Sequence, residues 1–484
     1  MPGLARQAVV LTASRFANYG LMIISPLVLV RFLSVTQFGH YREFILYTTI
    51  LYSLATFSIS DSLLYFIPAH PRSPWRVVRQ TAALTAIVSA IVIGGFLILN
   101  ALLGGHIAGA YPLQTALYVM CYANVDFWEG YWLARNRPTA VFAYSMSRLL
   151  LRMLVVIGAA VFSGRVLTII WALVALEAAR LLAAFLIWSL SSRAAHEPHV
   201  QNLPREQLRF CMPAGISSIC NMVSKNLGGL AVVKYLGPAA LAHLTVGTYA
   251  EPIVFALRNS ISTVVLPELV RRKAASAGLP MVLWHRMIVI SCVLLLPAAA
   301  LVALFARPVI LTAFGPAYAA AIPVMQIYAL VIARAAFDFA PPLRAVNRTR
   351  PLMLAMFAAV AASVLVLVLL LPVAGIVGAA WAIVAANIVE AIYLAWSVKR
   401  LHGFTFAQLL PWKAASTVLL CALAAAVPLV LAHARSAGLA GAAAWSALYA
   451  LLYWALLMGL KVEEAVQLTR RLTRRLRSSL WSLA

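Results

Sequence analysis

The sequence predicts an all-α polytopic membrane protein of about 14 transmembrane helices: two six-helix lobes of like orientation, then two further C-terminal helices. Three observations lead there. The 484 residues are 64% hydrophobic and only 11% charged, with a mean hydropathy of +0.93, a composition that excludes a soluble globular protein. Apolar stretches of about 20 residues, the length that crosses a hydrocarbon core, recur along the chain. One pattern of turns also occurs twice, in the same order.

Taken in order, the first lobe spans 1–191, with apolar stretches near 7–30, 41–67, 81–103, 113–134, 140–163 and 167–190. A connector over 192–209 contains His196-Glu197-Pro198 and Pro204-Arg205-Glu206, polar residues suited to a cytoplasmic linker. The second lobe, 210–400, has stretches near 210–233, 240–266, 286–306, 317–343, 351–372 and 375–397. Two more, near 412–432 and 438–460, fill the region 401–460 outside the duplication. Over 461–484, Leu468, Leu472, Leu476 and Leu480 recur at four-residue spacing among Arg470, Arg471, Arg474, Arg475 and Arg477. That pattern predicts a basic amphipathic helix on the cytoplasmic membrane surface. Pro26, Pro213, Pro252, Pro297 and Pro323 lie inside predicted helices, where proline frees backbone carbonyls and permits bends.

The duplication rests on three echoes. Asn18 and the turn Arg31-Phe32-Leu33-Ser34 return as Asn221 and Lys234-Tyr235-Leu236-Gly237. Asn136-Arg137-Pro138 is echoed by Asn347-Arg348 and Pro351, and Trp171-Ala172-Leu173-Val174-Ala175 by Trp381-Ala382-Ile383-Val384-Ala385. Internal repeats of helix bundles are a hallmark of transporters.

A net charge of +25 raises nucleic acid as a partner, and its distribution rejects it. Of 38 Lys and Arg residues, 25 fall in the N-terminal segment, alternate loops and the tail, six in the opposite loops and seven within helices. By the positive-inside rule both termini are cytoplasmic. Six helices separate the copies, so the two have the same orientation. The five cysteines have no metal-site or disulfide spacing and read as packing residues.

Charges inside the helices carry the functional signal. Within predicted helices lie seven basic residues, Arg15, Arg148, Arg152, Arg180, Lys225, Arg258 and Arg334, and seven acidic ones, Asp61, Asp126, Glu129, Glu177, Glu251, Asp338 and Glu390. Each would cost about 2.5–3.5 kcal/mol at a helix centre facing lipid. Glu177 with Arg180, and Arg334 with Asp338, have the spacing of self-neutralising ion pairs. Arg15, Arg148, Arg152 and Lys225 have no acidic neighbour at helical spacing; Arg148 and Arg152 share a face with Tyr144. They either line a wet interior or bridge to another helix, with Asp126 or Glu129 as partners. Arg15, Arg148, Arg180, Arg258 and Arg334 lie in the cytoplasmic halves of their helices, so the expected cargo is an anion loaded from inside. The guanidinium fork suits phosphate oxygens, and a cluster of forks suits a diphosphate. Asp126 and Glu129 sit with Tyr122, Trp128, Tyr131 and Trp132, an array that fits sugar rings or, for Trp132, an interfacial anchor. Asp61, Asp126, Glu129, Glu251 and Glu390 are candidates for proton or sodium coupling.

Several segments resemble the polysaccharide flippases of the multidrug/oligosaccharidyl-lipid/polysaccharide exporter superfamily. In the first lobe the likeness is Arg31-Phe32-Leu33-Ser34-Val35-Thr36-Gln37-Phe38-Gly39-His40-Tyr41, a helix end, a short turn and a Gly-x-aromatic helix start. In the second it is Tyr235-Leu236-Gly237-Pro238-Ala239-Ala240-Leu241, running on to Thr263-Val264-Val265-Leu266-Pro267. Leu343-Arg344-Ala345-Val346-Asn347-Arg348 is similar to the family's tenth-helix end. Ala242 and Leu244 replace the usual glycine and aromatic of the second helix start, and Asn347 stands where glycine is common.

The resemblance implies a non-enzymatic transporter of the bacterial inner membrane. It would move an undecaprenyl-diphosphate-linked oligosaccharide to the periplasmic leaflet by alternating access of two lobes, for cell-surface polysaccharide biosynthesis. It further implies membrane lipid, a glycan polymerase and chain-length proteins as partners. Arg15, Arg148, Arg152 and Arg258 would contact the diphosphate, with Lys225 as the second lobe's contribution. A peptidoglycan-precursor flippase has the same helix count and a basic cavity. A drug or cation exporter of the superfamily usually has twelve helices and relies on intramembrane acids. A glycan polymerase or ligase would carry a large periplasmic loop, and every loop here is short.

Overall fold

The computed structural model describes residues 24–105, 109–135, 137–189, 202–275, 281–346, 348, 350–432, 439–463 and 466, and among them every regular element is helical. Arg15 and nearly all of the basic tail lie outside the described residues. So does most of the expected linker; its last residues are helical from Leu203.

Nine helices among the described residues are long and apolar enough to cross a membrane, and a bent pair makes ten. The chain is therefore an all-α polytopic membrane protein. Its outward surface agrees: Phe162 is 91% exposed, Val373 84% and Ile91 68%, side chains that would be costly in water and belong in lipid. Of the remaining expected stretches, 7–30 is largely outside the described residues. Those near 113–134 and 240–266 are each split by a break, and that near 210–233 sits in a long helix carrying Arg205, Glu206, Arg209 and Lys225.

The described residues form two compact units divided between Ala242 and His243. The first contains α1 (Val35–Thr56), α2 (Leu63–Ala69), α3 (Pro74–Leu102), α4 (Pro112–Ala123), α5 (Phe127–Ala134), α6 (Pro138–Ser163), α7 (Val166–Ser189) and α8 (Leu203–Leu236). It ends within α9 (Pro238–Gly247). Thus α8, which opens the second repeat in sequence, belongs to the first unit, packed on α1 and α3. Ser34 starts α1 with a capping box, its hydroxyl accepting from the Gln37 N–H while the Gln37 side chain accepts from the Ser34 N–H, both at 3.3 Å. Phe57 and Ser58 end α1 with left-handed φ of 45° and 54°, and the chain bends by 51° into α2. Gln207 on α8 fixes that bend, donating at 2.7 Å to both Ser62 and Thr81.

Two turns singled out in the repeats meet inside this unit. A Cβ on Gly39 would lie 2.1 Å from the Pro238 carbonyl oxygen, so only glycine fits. The obstacle is backbone and cannot rotate away. Gly39→Ala is expected to destabilise the chain by about 1–3 kcal/mol, read as a lower unfolding temperature in detergent.

The second unit contains α10 (Glu251–Ala275), α11 (Met281–Val309), α12 (Ala321–Ala335), α13 (Ala340–Ala345), α14 (Arg350–Ala374), α15 (Ile376–His402), α16 (Trp412–Leu431) and α17 (Leu439–Gly459). Its core is built on α11, with Trp284, Ile288, Cys292 and Leu295 fully buried. The helices α16 and α17 pack against α11, and the Tyr453 hydroxyl donates to the Val293 carbonyl at 3.0 Å. Helix α11 runs through Pro297 and α8 through Pro213, so the interruptions lie elsewhere: at 57–62, 124–126, 248–250 and 336–339.

Candidate functional site

In the first unit, α6 carries Tyr144, Arg148 and Arg152 one turn apart, which puts all three on one face. The break between α4 and α5 supplies their partners. There Asn124 turns its side-chain amide back to the Met120 carbonyl at 2.8 Å and to Ser89 at 3.0 Å. Such local side-chain bonding competes with the helical ladder. The Tyr144 hydroxyl donates to the Val125 carbonyl at 3.3 Å, satisfying a backbone group in the break.

Asp126 closes this break. Its carboxylate accepts from Arg148 on α6 and from the Tyr52 hydroxyl on α1. Arg148 also reaches Glu129 at 3.1 Å. One guanidinium thus holds two carboxylates, and the interhelical bridge is the arrangement present for Arg148. On α7, Arg180 pairs with Glu177 as the i,i+3 spacing allows, and donates to the Tyr144 hydroxyl at 2.7 Å. Glu177 is 1% exposed.

Arg152 is different. Among the described residues it makes no hydrogen bond or ion pair; its guanidinium stacks over the Tyr118 ring at 5.9 Å. Tyr118 stands in an aromatic array with Phe44, Tyr122 and Tyr52, at centroid separations of 5.4, 5.6 and 4.8 Å along the series. A cation–π contact offsets about 0.5–2 kcal/mol and leaves all five N–H donors available.

In the second unit the pairing departs from helical arithmetic. Arg334 and Asp338, four apart, do not pair. The helix stops at Ala335 and resumes at Ala340, so the register that would bring them together is lost. Arg334 turns to α15, donating to Glu390 and to the Asn387 carbonyl, each at 2.9 Å. Asp338 accepts from Arg258 on α10 at 3.3 and 3.4 Å, from Ser262 at 2.8 Å and from the Ala340 N–H at 3.1 Å. The Asp338 carbonyl accepts from Trp284 at 3.2 Å.

The structure therefore gathers Arg148, Arg152, Asp126 and Glu129 in the first unit, and Arg258 and Glu390 in separate pairs of the second. Asp61 is exposed at the bend before α2, Lys225 is exposed on α8, and Glu251 is exposed at the start of α10. Sequence reasoning missed Asp338 as the partner of Arg258, and missed Tyr52 and Tyr118. The signal for Asp338 was present: Asp126 lies ten residues before Asn136, and Asp338 nine before its echo Asn347. Among the described residues no group of His, Cys, Asp and Glu has the geometry of a metal site.

A family model described as "Polysaccharide biosynthesis protein" matches residues 28–323. No curated protein matches the chain. Among solved structures, the chain is similar to "Lipid II flippase MurJ, inward closed conformation" at 13% identity and a TM-score of 0.73, covering 94% of this chain and 99% of that one. It is also similar to an inward-facing multidrug resistance MATE family transporter of the MOP superfamily, at 13% identity and a TM-score of 0.56, covering 81% and 99%. A third likeness, to MATE in complex with MaD3S, has 12% identity and a TM-score of 0.51, covering 83% and 96%. Likeness at these identities concerns the fold alone, and it is the fold of these structures that the chain shares.

Proposed function

We propose that this chain, which belongs to the polysaccharide biosynthesis protein family, carries an undecaprenyl-diphosphate-linked oligosaccharide across the bacterial inner membrane by alternating access, from cytoplasmic to periplasmic leaflet. The observation that carries the reading is Arg152. A cation within a membrane helix that no carboxylate among the described residues bonds is expensive, and a ligand anion would offset that cost. A diphosphate does so, offering oxygens that match the planar fork. Half-buried Tyr122, stacked on Tyr118, would offer an adjacent sugar a ring edge and a hydroxyl. The reading takes all fourteen apolar stretches as spans and both termini as cytoplasmic, with Arg15 and Lys225 as further headgroup contacts.

The remaining proposed contacts are already engaged in the resting chain. Arg148 is shared between Asp126 and Glu129, and Arg258 lies against Asp338. Of the coupling candidates, Glu390 neutralises Arg334, while Asp61 and Glu251 are the exposed acids at which a proton or sodium ion would act.

Deletion of the gene in its native host is expected to remove the surface polysaccharide and to leave lipid-linked oligosaccharide on the cytoplasmic leaflet, both reversed by the intact gene. Normal surface glycan in the deletion strain would overturn the reading. If the strain instead accumulates peptidoglycan precursor, the cargo is the other polyprenyl diphosphate; if it only becomes drug-sensitive, the cargo is not a lipid-linked glycan.

A further inference from the structure

The fourth helix of each repeat is interrupted at the same place, and each interruption is fastened in the same way. In the first repeat α4 ends at Ala123 and α5 begins at Phe127; in the second α12 ends at Ala335 and α13 begins at Ala340. An aspartate precedes each restart, Asp126 and Asp338. Each accepts from the second helix of its own repeat: Tyr52 on α1 in one, Arg258 and Ser262 on α10 in the other. Each break also has one backbone carbonyl satisfied by an aromatic donor, Tyr144 to Val125 at 3.3 Å and Trp284 to Asp338 at 3.2 Å.

The two fastenings differ in strength. In the first, Arg148 is held by two carboxylates. In the second, Arg258 has one charged partner among the described residues, at 3.3 and 3.4 Å, long for charge-assisted bonds that usually run about 2.7–2.9 Å. Asp338 also keeps two other donors, Ser262 at 2.8 Å and the Ala340 N–H at 3.1 Å. Once Arg258 leaves, these two donors keep the carboxylate hydrogen-bonded, which lowers the cost of exchange without removing the cost of a buried charge that has lost its counter-ion.

We propose that Asp338 is a positioning residue whose hold on Arg258 is exchangeable: the diphosphate of the cargo takes Arg258 from Asp338 and so unties α10 from the break between α12 and α13, while Asp126 keeps the equivalent tie in the first repeat closed. The proposal rests on the flippase reading. It supplies what alternating access requires, a contact present in one state and replaced by cargo in the other, so that binding shifts the balance between them.

The test is titration of inorganic pyrophosphate into the full-length protein in lipid nanodiscs, with export measured in cells for the same variants. Asp338→Asn removes the competitor for Arg258 and should tighten pyrophosphate binding on the order of tenfold. It should also slow export, because binding no longer unties anything. Ser262→Ala, a milder change, should weaken binding severalfold by withdrawing the donor Asp338 needs once Arg258 leaves. Equal or weaker binding by Asp338→Asn, or unchanged binding by Ser262→Ala, overturns the exchange while leaving the flippase reading intact. Failure of the intact protein and every variant to bind pyrophosphate overturns both.

Discussion

Arg152→Ala is expected to abolish export of the lipid-linked glycan while the protein accumulates in the membrane at its normal level. The two halves of that expectation have one cause. Arg152 makes no ion pair among the described residues, so alanine removes a desolvated cation without stranding a carboxylate. Folding loses only the cation–π contact with Tyr118, about 0.5–2 kcal/mol, and regains the cost of holding a charge in the membrane. Binding of the diphosphate loses a charge-assisted contact worth about 2–5 kcal/mol, roughly thirtyfold or more in affinity. Lysine restores the charge but not the planar fork, so Arg152→Lys should recover part of the activity if charge suffices and none if bidentate contact is needed. The measurement is surface glycan in a deletion strain complemented with each variant, with membrane protein quantified alongside. Normal export by Arg152→Ala at normal protein level removes Arg152 from the site.

The pair Glu177–Arg180 should behave in the opposite way. Glu177 is 1% exposed and Arg180 14%, and each is the other's charge partner. Glu177→Leu leaves Arg180 with the Tyr144 hydroxyl alone among the described residues, and Arg180→Met leaves a buried carboxylate without its ion pair; either is expected to cost about 3–5 kcal/mol and to lower the folded fraction sharply. The double variant removes both charges together and should fold about as well as the original chain, because apolar residues of similar volume replace a buried pair at little or no loss. Thermal unfolding of the three variants in detergent, with export in cells, separates the cases. If the double variant folds but does not export, the pair acts in transport as well as in folding.

The contrast between these arginines was not legible in the chain. Arg148 and Arg152 are one turn apart, on one face, with the same absence of acidic neighbours at helical spacing. What separates them is Asp126, which lies far off in sequence and reaches α6 only because the helix before it breaks at Asn124. The Arg334–Asp338 expectation failed for a related reason. Counting by four assumes a continuous helix, and the chain stops being helical between the two residues. Pro341-Pro342 was the available warning, since proline lacks the N–H that continues a helical ladder and suits the first turn of a new helix. By contrast, the self-contained pair Glu177–Arg180 is present, because nothing interrupts α7.

Hydropathy and repeat were readable because they are sums over neighbouring residues. Lipid solvates each segment largely on its own terms, so a run of apolar residues declares a helix before its packing is known. The likeness to a known family rested on the order and spacing of turns, which local sequence also specifies, and a family model matches residues 28–323. The choice of partner for each intramembrane charge belongs to the folded chain. Those energies depend on distance and burial between residues far apart in sequence, and on where a helix gives up its register. Composition therefore determined that charges would have to be neutralised, and the tertiary arrangement decided that Arg148 would be tied twice, Arg258 loosely, and Arg152 left available.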